Sequence, residues 1–190
     1  DTNLCRIRDR PIDSKLPLHL QLVYPTVAEI RNSVEGYRGG ASVPGTVKNT
    51  TKAFLRPLFR KWSSTPSNTL PLKGDHVPHI KTYYQASGDN QSMDWLVVSS
   101  HNLSKAAWGE ILVTQYGRKL FIRHWELGVF VSPSLLGVDR LVHWTPERVE
   151  ASVATVPMPY KLYFPDPYRS HDQPWAVDGE YTEPDRFGLR

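Results

Sequence analysis

The sequence predicts an α/β fold. Three observations carry that expectation: a period-two stretch leading into a helix start at residues 18–36, two β-prone runs joined by a polar turn at 79–100, and a further apolar, β-prone pair at 120–132. At 190 residues, 39% of them hydrophobic, the chain has the size and composition of one ordinary globular domain.

Leu18, Leu20 and Leu22 alternate with His19 and Gln21, the spacing of a strand with one apolar face. Thr26 stands three residues before Glu29, the pattern of a capping box, so a helix is expected to start there. Val27, Ile30 and Val34 give that helix its apolar face, and Gly36 ends it. The run from Gly36 to Gly45 reads as a glycine-rich loop. Phe54, Leu55, Leu58, Phe59 and Trp62 fit a helix that Pro57 would kink or shift. Residues 63–75, rich in Ser, Thr and Pro, are expected to be a mobile loop.

Strands are then expected from His79 to Ala86 and from Asp94 to Ser100, around a turn holding Gly88, Asp89 and Asn90. A short helix over Ser104 to Trp108 follows, with Trp108 read as core. The third strand pair runs from Leu120 to Arg123 and from Leu127 to Ser132. Residues 154–190, rich in proline and aromatics, are expected to wrap the domain as irregular chain.

Net charge is +4 but unevenly spread: residues 1–61 hold 11 Lys or Arg against 5 Asp or Glu, and residues 62–190 hold 12 against 14. A basic first third suits a polyanion, because neutralised phosphates release counterions, and it equally suits a solvated surface. Motifs have to decide between the two. No stretch approaches the roughly 18 apolar residues of a membrane span, and no basic region followed by an apolar block opens the sequence. Neither signal peptide nor anchor is expected, and no membrane partner. Cys5 is the single cysteine, so no disulfide closes within the chain, which fits a reducing compartment such as the nucleus or cytosol.

Residues 78–109 are the most informative. His79 and Lys81 are two apart, so on an extended strand both side chains leave one face. Asn102 lies past the next strand and at the start of the short helix, where a strand end can bring its amide beside them. An imidazole, a fixed ammonium and an amide, with the backbone N–H groups of Ser104 to Ala106, make a cradle for a phosphate. The same His-x-Lys spacing also arises by chance in many proteins. His76, His79 and His101 leave a zinc reading open, but no cysteine supports it. No metal and no cofactor are expected.

His79-x-Lys81 followed by Ser99-Ser100-His101-Asn102 resembles the HxK…GSxN signature of the phospholipase D superfamily, with Ser99 in place of glycine and no aspartate at its usual position. That departure resembles the tyrosyl-DNA phosphodiesterases. Longer stretches are similar to the same family: LVYP at 22–25, Val34 to Gly40 with Ser42 and Pro44, PHIKTY at 78–83, NLSKAAWG at 102–109, WELGV at 125–129, PMPY at 157–160 and DQPW at 172–175. Residues 1–17 match it poorly, and Val177 stands where the family often has a second tryptophan.

The resemblance implies a protein of two similar α/β halves, each a phospholipase D-like half domain with a mixed β-sheet flanked by helices and contributing one His/Lys/Asn set. This sequence shows one set, similar to the second, so residues 1–190 are expected to be a single domain equivalent to the C-terminal catalytic half. The N-terminal catalytic half is then an expected partner, with nuclear DNA carrying a 3′-linked tyrosine or topoisomerase I-derived peptide as substrate. The implied chemistry is phosphodiester hydrolysis through a phosphohistidine formed on the other half, with His79 as general acid and then base. Lys81 and Asn102 are implied to hold the non-bridging oxygens, and Glu126 to orient the other half's histidine. Glu126 equally suits a structural pair with Arg123 or His124. Ser42, Ser100, Ser104 and the Ala106 backbone are implied phosphate contacts, and Ser42 equally suits a turn. Trp175 is implied to face the peptide side of the cleft. A homodimer with one signature per chain and a non-catalytic nucleic-acid-binding fragment are the alternative readings.

Overall fold

The computed structural model describes residues 20–62, 75–145, 150–160, 162 and 165–190. Helix α1 (Val27–Asn32) starts where the capping box predicts: Thr26 Oγ1 accepts the Glu29 N–H (3.1 Å) and Glu29 Oε2 accepts the Thr26 N–H (2.7 Å). The helix stops at Asn32, short of the expected Gly36. Ser33 turns extended there and its hydroxyl donates to the Ile30 carbonyl (2.7 Å), in competition with a further helical turn. Ile30 is buried while Val34 is exposed, so the expected apolar face is narrower than its spacing suggests. The strand before it is also short. β1 (Leu22–Val23) pairs in parallel with β2 (Phe59–Arg60), Leu20 is exposed outside it, and Leu18 lies outside the described residues.

The glycine-rich run contains helix α2 (Tyr37–Gly40), and α3 (Val47–Thr50) follows it. Each is one turn long and depends on a carboxylate from far along the chain. Asp185 Oδ2 accepts the Tyr37 N–H (2.9 Å), and Asp178 Oδ1 accepts the Val47 N–H (2.7 Å). Gly36 has φ +62°, and a Cβ there would overlap the Asp185 carboxylate, so the α2 entry requires glycine. The helix expected around Pro57 is a 3-10 helix, Ala53–Leu58, after which the chain enters β2. Proline has no N–H to donate and its predecessor avoids the α region, which disfavours an α-helix through this point. Of the loop expected at 63–75, all but Asp75 lies outside the described residues.

The second part of the chain builds a five-stranded mixed sheet. In order come β3 (Lys81–Ala86), β4 (Met93–Ser99), helix α4 (Lys105–Trp108), β5 (Glu110–Thr114), β6 (Gly117–Phe121), β7 (Gly128–Val131), helix α5 (Pro133–Leu136), β8 (Arg140–His143) and β9 (Val153–Val156). β4 is the centre: β3 pairs along one edge, while β7 and β8 share the other, and β9 adds in parallel to β8. The β3–β4 turn is held by Asp89, whose Oδ1 accepts the N–H groups of Gln91 (2.8 Å) and Ser92 (3.0 Å). The expected pairing of 120–123 with 127–132 is corrected. β6 closes a two-residue hairpin with β5, and β7 joins β4 instead, because the adjacent hairpin is a cheaper closure than the longer link to β7. β5, β8, β9 and α5 are additions to the predicted elements, and β9 shows that the tail begins as strand rather than irregular chain at 154.

Met93, Leu96, Leu141, Val142 and Met158 are buried beneath this sheet, with Trp62, Tyr160 and Leu162 packed on them. A second core joins Ile30, Val43 and Trp175. Trp175 stacks on Tyr37 (5.8 Å) and Tyr181 (4.9 Å) and donates its Nε1–H to the Gly40 carbonyl (2.9 Å), so it anchors this core. The tail around it is irregular, as expected, but firmly tied. Arg56 donates to the carbonyls of Arg169 (2.5 Å), Ser170 (3.1 Å) and Asp172, while Lys61 pairs with the Asp172 carboxylate (2.9 Å).

Thr26→Ala removes half of the capping box and should cost about 1 kcal/mol of unfolding free energy in a urea titration. Asp172 is buried, which alone would raise its pKa, but the Arg169 N–H and Lys61 outweigh burial and hold the carboxyl below the ordinary 3.8. A depressed pKa means the folded state binds its proton less readily, so this contribution is complete above pH 3.8 and fades as pH falls towards the folded value. Asp172→Ala should lower stability by about 2 kcal/mol near neutral pH and flatten the acid limb of the stability curve.

Candidate active site

The candidate site arises from strand register. Lys81, the first residue of β3, is opposite Ser99, the last of β4, and Ser99 is opposite Gly128, the first of β7. Three strand ends therefore meet in one row. His79 precedes that row, Ser100, His101 and Asn102 continue from it, and Glu126 and Leu127 lead into it. A Cβ on Gly128 would press on the Ser99 side chain at 2.9 Å and the Val98 carbonyl at 3.2 Å, so glycine allows β7 to approach this closely.

Just past the row, β4 and the approach to β7 remain stitched together. The Ser100 N–H donates to the Leu127 carbonyl (3.0 Å), the Leu127 N–H donates to Ser100 Oγ (3.0 Å), and Ser100 Oγ donates to Glu126 Oε2 (2.5 Å). Ser99 Oγ also bonds His101 Nδ1 and accepts the His101 N–H (3.0 Å). Ser100 thus spends its hydroxyl on Glu126, whose side chain is only 11% exposed and lies 3.6 Å from His124 Nδ1. Of the two structural partners the sequence offers Glu126, the ion-pair contact is with His124.

Lys81 donates to the His79 carbonyl (2.9 Å), tying the ammonium to the segment that carries the imidazole. Burial draws the Lys81 pKa below its ordinary value, and the Glu126 charge partly restores it. His79 is exposed and stands two residues ahead of the first paired residue, so strand alternation does not orient it as the spacing suggests. Tyr83, two beyond Lys81 and on the same face of β3, donates its hydroxyl to the His101 carbonyl (2.8 Å) and fixes the peptide that leads into Asn102. Burial pushes the Tyr83 pKa up, keeping that hydroxyl a donor. Tyr83 is the residue that motif reading missed. Its position two residues from Lys81 is the available signal.

Asn102 is half-buried at the start of a turn closed by the Ser104 N–H on its carbonyl (2.7 Å). Ser104 then caps α4, its Oγ accepting the Ala107 N–H (3.3 Å). The amides of Lys105 and Ala106 are left without intrahelical partners. α4 is only four residues long, so its dipole is small and what it offers an anion is individual amides. The Ala106 carbonyl accepts from Arg123 (3.0 Å) and His124 (3.1 Å), which draws the Glu126 segment against the Asn102 turn. The predicted residues His79, Lys81, Ser100, Asn102, Ser104, Ala106 and Glu126 thus belong to one neighbourhood built on β3, β4, α4 and the approach to β7.

Ser42 is elsewhere in the contact pattern. Its hydroxyl donates to the Gly39 carbonyl (2.8 Å) at the end of α2, the turn role its sequence context also allows. Trp108, read from sequence as core, is half exposed. His76 pairs with Glu35 (2.6 Å), and among the described residues no three His, Cys, Asp or Glu side chains are grouped to hold a metal ion. No helix of the described residues is long and apolar enough to cross a membrane.

A family model described as tyrosyl-DNA phosphodiesterase matches residues 5–169. Relatives similar to this chain include tyrosyl-DNA phosphodiesterase 1 of Arabidopsis thaliana, 30% identical over 197 residues covering 88% of this chain and 31% of the plant protein. A probable tyrosyl-DNA phosphodiesterase of Caenorhabditis elegans is 32% identical over 183 residues, covering 94% of this chain and 34% of that protein. The crystal structure of the yeast tyrosyl-DNA phosphodiesterase superposes with a TM-score of 0.57 at 21% identity, over 83% of this chain and 36% of the yeast chain, which shows a shared fold. The chain spans about a third of the length of the curated relatives it matches. Matched along most of its length, and with its His-x-Lys and Asn segments gathered at one end of a sheet of the same fold, the chain belongs to the tyrosyl-DNA phosphodiesterase family.

Proposed function

We propose that this chain supplies the general acid/base half of a DNA-repair phosphodiesterase that hydrolyses 3′-phosphotyrosyl bonds, such as those topoisomerase I leaves on nuclear DNA. The observation that carries the reading is the Lys81–Ser99–Gly128 row, around which the segments bearing His79, Asn102 and Glu126 gather. In the first step a histidine of the companion N-terminal half attacks phosphorus, the P–O bond to tyrosine breaks, and protonated His79 gives its proton to the leaving phenolate oxygen. In the second, His79 accepts a proton from water as that water attacks the phosphohistidine. The P–N bond breaks, the DNA keeps a 3′-phosphate, and both imidazoles are restored. Lys81 and Asn102 hold the non-bridging oxygens through both displacements. Donors of this kind are each worth roughly 3 kcal/mol of barrier.

The surface beside Glu126 supports the need for a companion half. Trp125 is 103% exposed and Leu127 82%, on either side of Glu126. Two large apolar side chains left in water beside a partly buried carboxylate are what a covering surface would bury. The relatives, about three times this length, favour a companion half over a second copy of the chain.

The test combines this chain with the companion half and follows cleavage of a 3′-phosphotyrosyl oligonucleotide. His79→Asn should leave the first step running and stall the second, so a covalent protein–DNA adduct should accumulate on denaturing gels; equal loss of both steps with no adduct would remove His79 from the role. Lys81→Ala should slow both steps by roughly a hundred-fold or more in single-turnover measurements, and a rate near that of the unaltered protein would place Lys81 outside the site.

A further inference from the structure

Trp108 is half exposed (48%), yet it is held rigidly on one side. Its Nε1–H donates to the Tyr83 hydroxyl (3.3 Å), its ring meets Tyr83 edge-on (5.1 Å, 83°), and the His101 ring lies tilted against it at 4.8 Å. The indole also lines a shallow hollow of about 270 Å³ with Leu103, Ser104, Lys105 and Gly109. Leu103 is 69% exposed, so the apolar part of this hollow is open to solvent. The Asn102–Ser104 turn sets it directly beside Asn102, and the same Tyr83 hydroxyl that receives Trp108 binds the His101 carbonyl. Platform and phosphate-binding segment are therefore one rigid unit.

We infer that this hollow is a stacking subsite for the nucleobase of the nucleotide that carries the 3′-phosphate. The inference rests on the phosphate reading proposed above and adds where the base goes. A nucleotide joins a planar π face to an anion, and here an immobilised indole flanked by Leu103 adjoins a segment of polar donors. The Lys105 ammonium stands at the rim but is paired with Glu110 (3.1 Å), so stacking rather than charge supplies the contact. Every base has a π face, so a subsite of this kind accepts any terminal base. It makes the base contribution weakly dependent on salt, in contrast to the phosphate contribution.

The experiment measures binding of this chain to a short 3′-phosphorylated oligothymidylate, to the same strand with an abasic 3′-terminal residue, and to the 3′-hydroxyl strand, each at low and moderate salt. The abasic strand should bind the unaltered protein about ten-fold more weakly, by a ratio that changes little with salt. Trp108→Ala should remove that difference and Trp108→Phe should retain most of it. Equal binding of the abasic and base-bearing strands, or no binding of either, overturns the subsite and leaves Trp108 as a protein-contact surface. Equal binding of the 3′-phosphoryl and 3′-hydroxyl strands overturns the phosphate reading instead. A persisting base preference in that case still assigns the platform to Trp108.

Discussion

The close approach of β7 to the end of β4 is the constraint on which the rest depends. Register alone opposes Lys81 to Ser99 and Ser99 to Gly128, and a one-residue slip would send every side chain in the row to the other face of the sheet. Gly128 permits the approach, because any side chain there would meet Ser99 and the Val98 carbonyl. The same strand that ends in the row is anchored by Met93 and Leu96 in the main core. Burial at one end of β4 thus sets the position of the polar groups at the other.

Beyond the row, polar groups continue what the backbone ladder began. Ser100 acts as a three-way joint, receiving the Leu127 N–H and donating to Glu126, so the carboxylate is held by the strand opposite its own. A partly buried ammonium loses solvation, and Glu126 offsets part of that loss for Lys81 without forming a close ion pair with it. Apart from the donor given to the His79 carbonyl, an amine held this way keeps its donors for another anion, whereas a close carboxylate would compete for them. Arg56, with three backbone carbonyls, and Asp172, with Lys61 and the Arg169 N–H, show the opposite arrangement: fully engaged groups whose role is to bind the tail to the body.

Local signals were legible in the sequence and distant ones were not. The Thr26–Glu29 box, the β3–β4 hairpin with its Asp89 turn, and the Ser104-capped helix each depend on residues within a few positions of one another, and each is built as read. Helix α2 was hidden because its cap is Asp185, about 150 residues away, and a glycine-rich run has no local reason to coil. The partner of β7 was hidden because propensity identifies a strand but not its neighbour; the nearest β-prone segment was taken up by the β5–β6 hairpin. Trp108 was misread because small alanines around it suggested a buried helix. Ala107 is buried, but the helix is a single turn, and its next position faces outward. The candidate site residues were named from type and spacing, while the opposition of Lys81, Ser99 and Gly128 required the sheet.

Trp125, Glu126 and Leu127 bring packing and electrostatics together in three consecutive residues. The two apolar side chains are turned to solvent, and the carboxylate between them is turned toward Ser100. Full burial of a large apolar side chain is worth about 1.5–3 kcal/mol, so a companion surface seated on Trp125 and Leu127 would gain substantially from these two residues alone. The same contact would exclude water from the neighbourhood of Lys81, where a lower effective dielectric strengthens every charge interaction. Under the function proposed above, association and activation would then be one event, driven by apolar area and expressed as stronger electrostatics around Lys81.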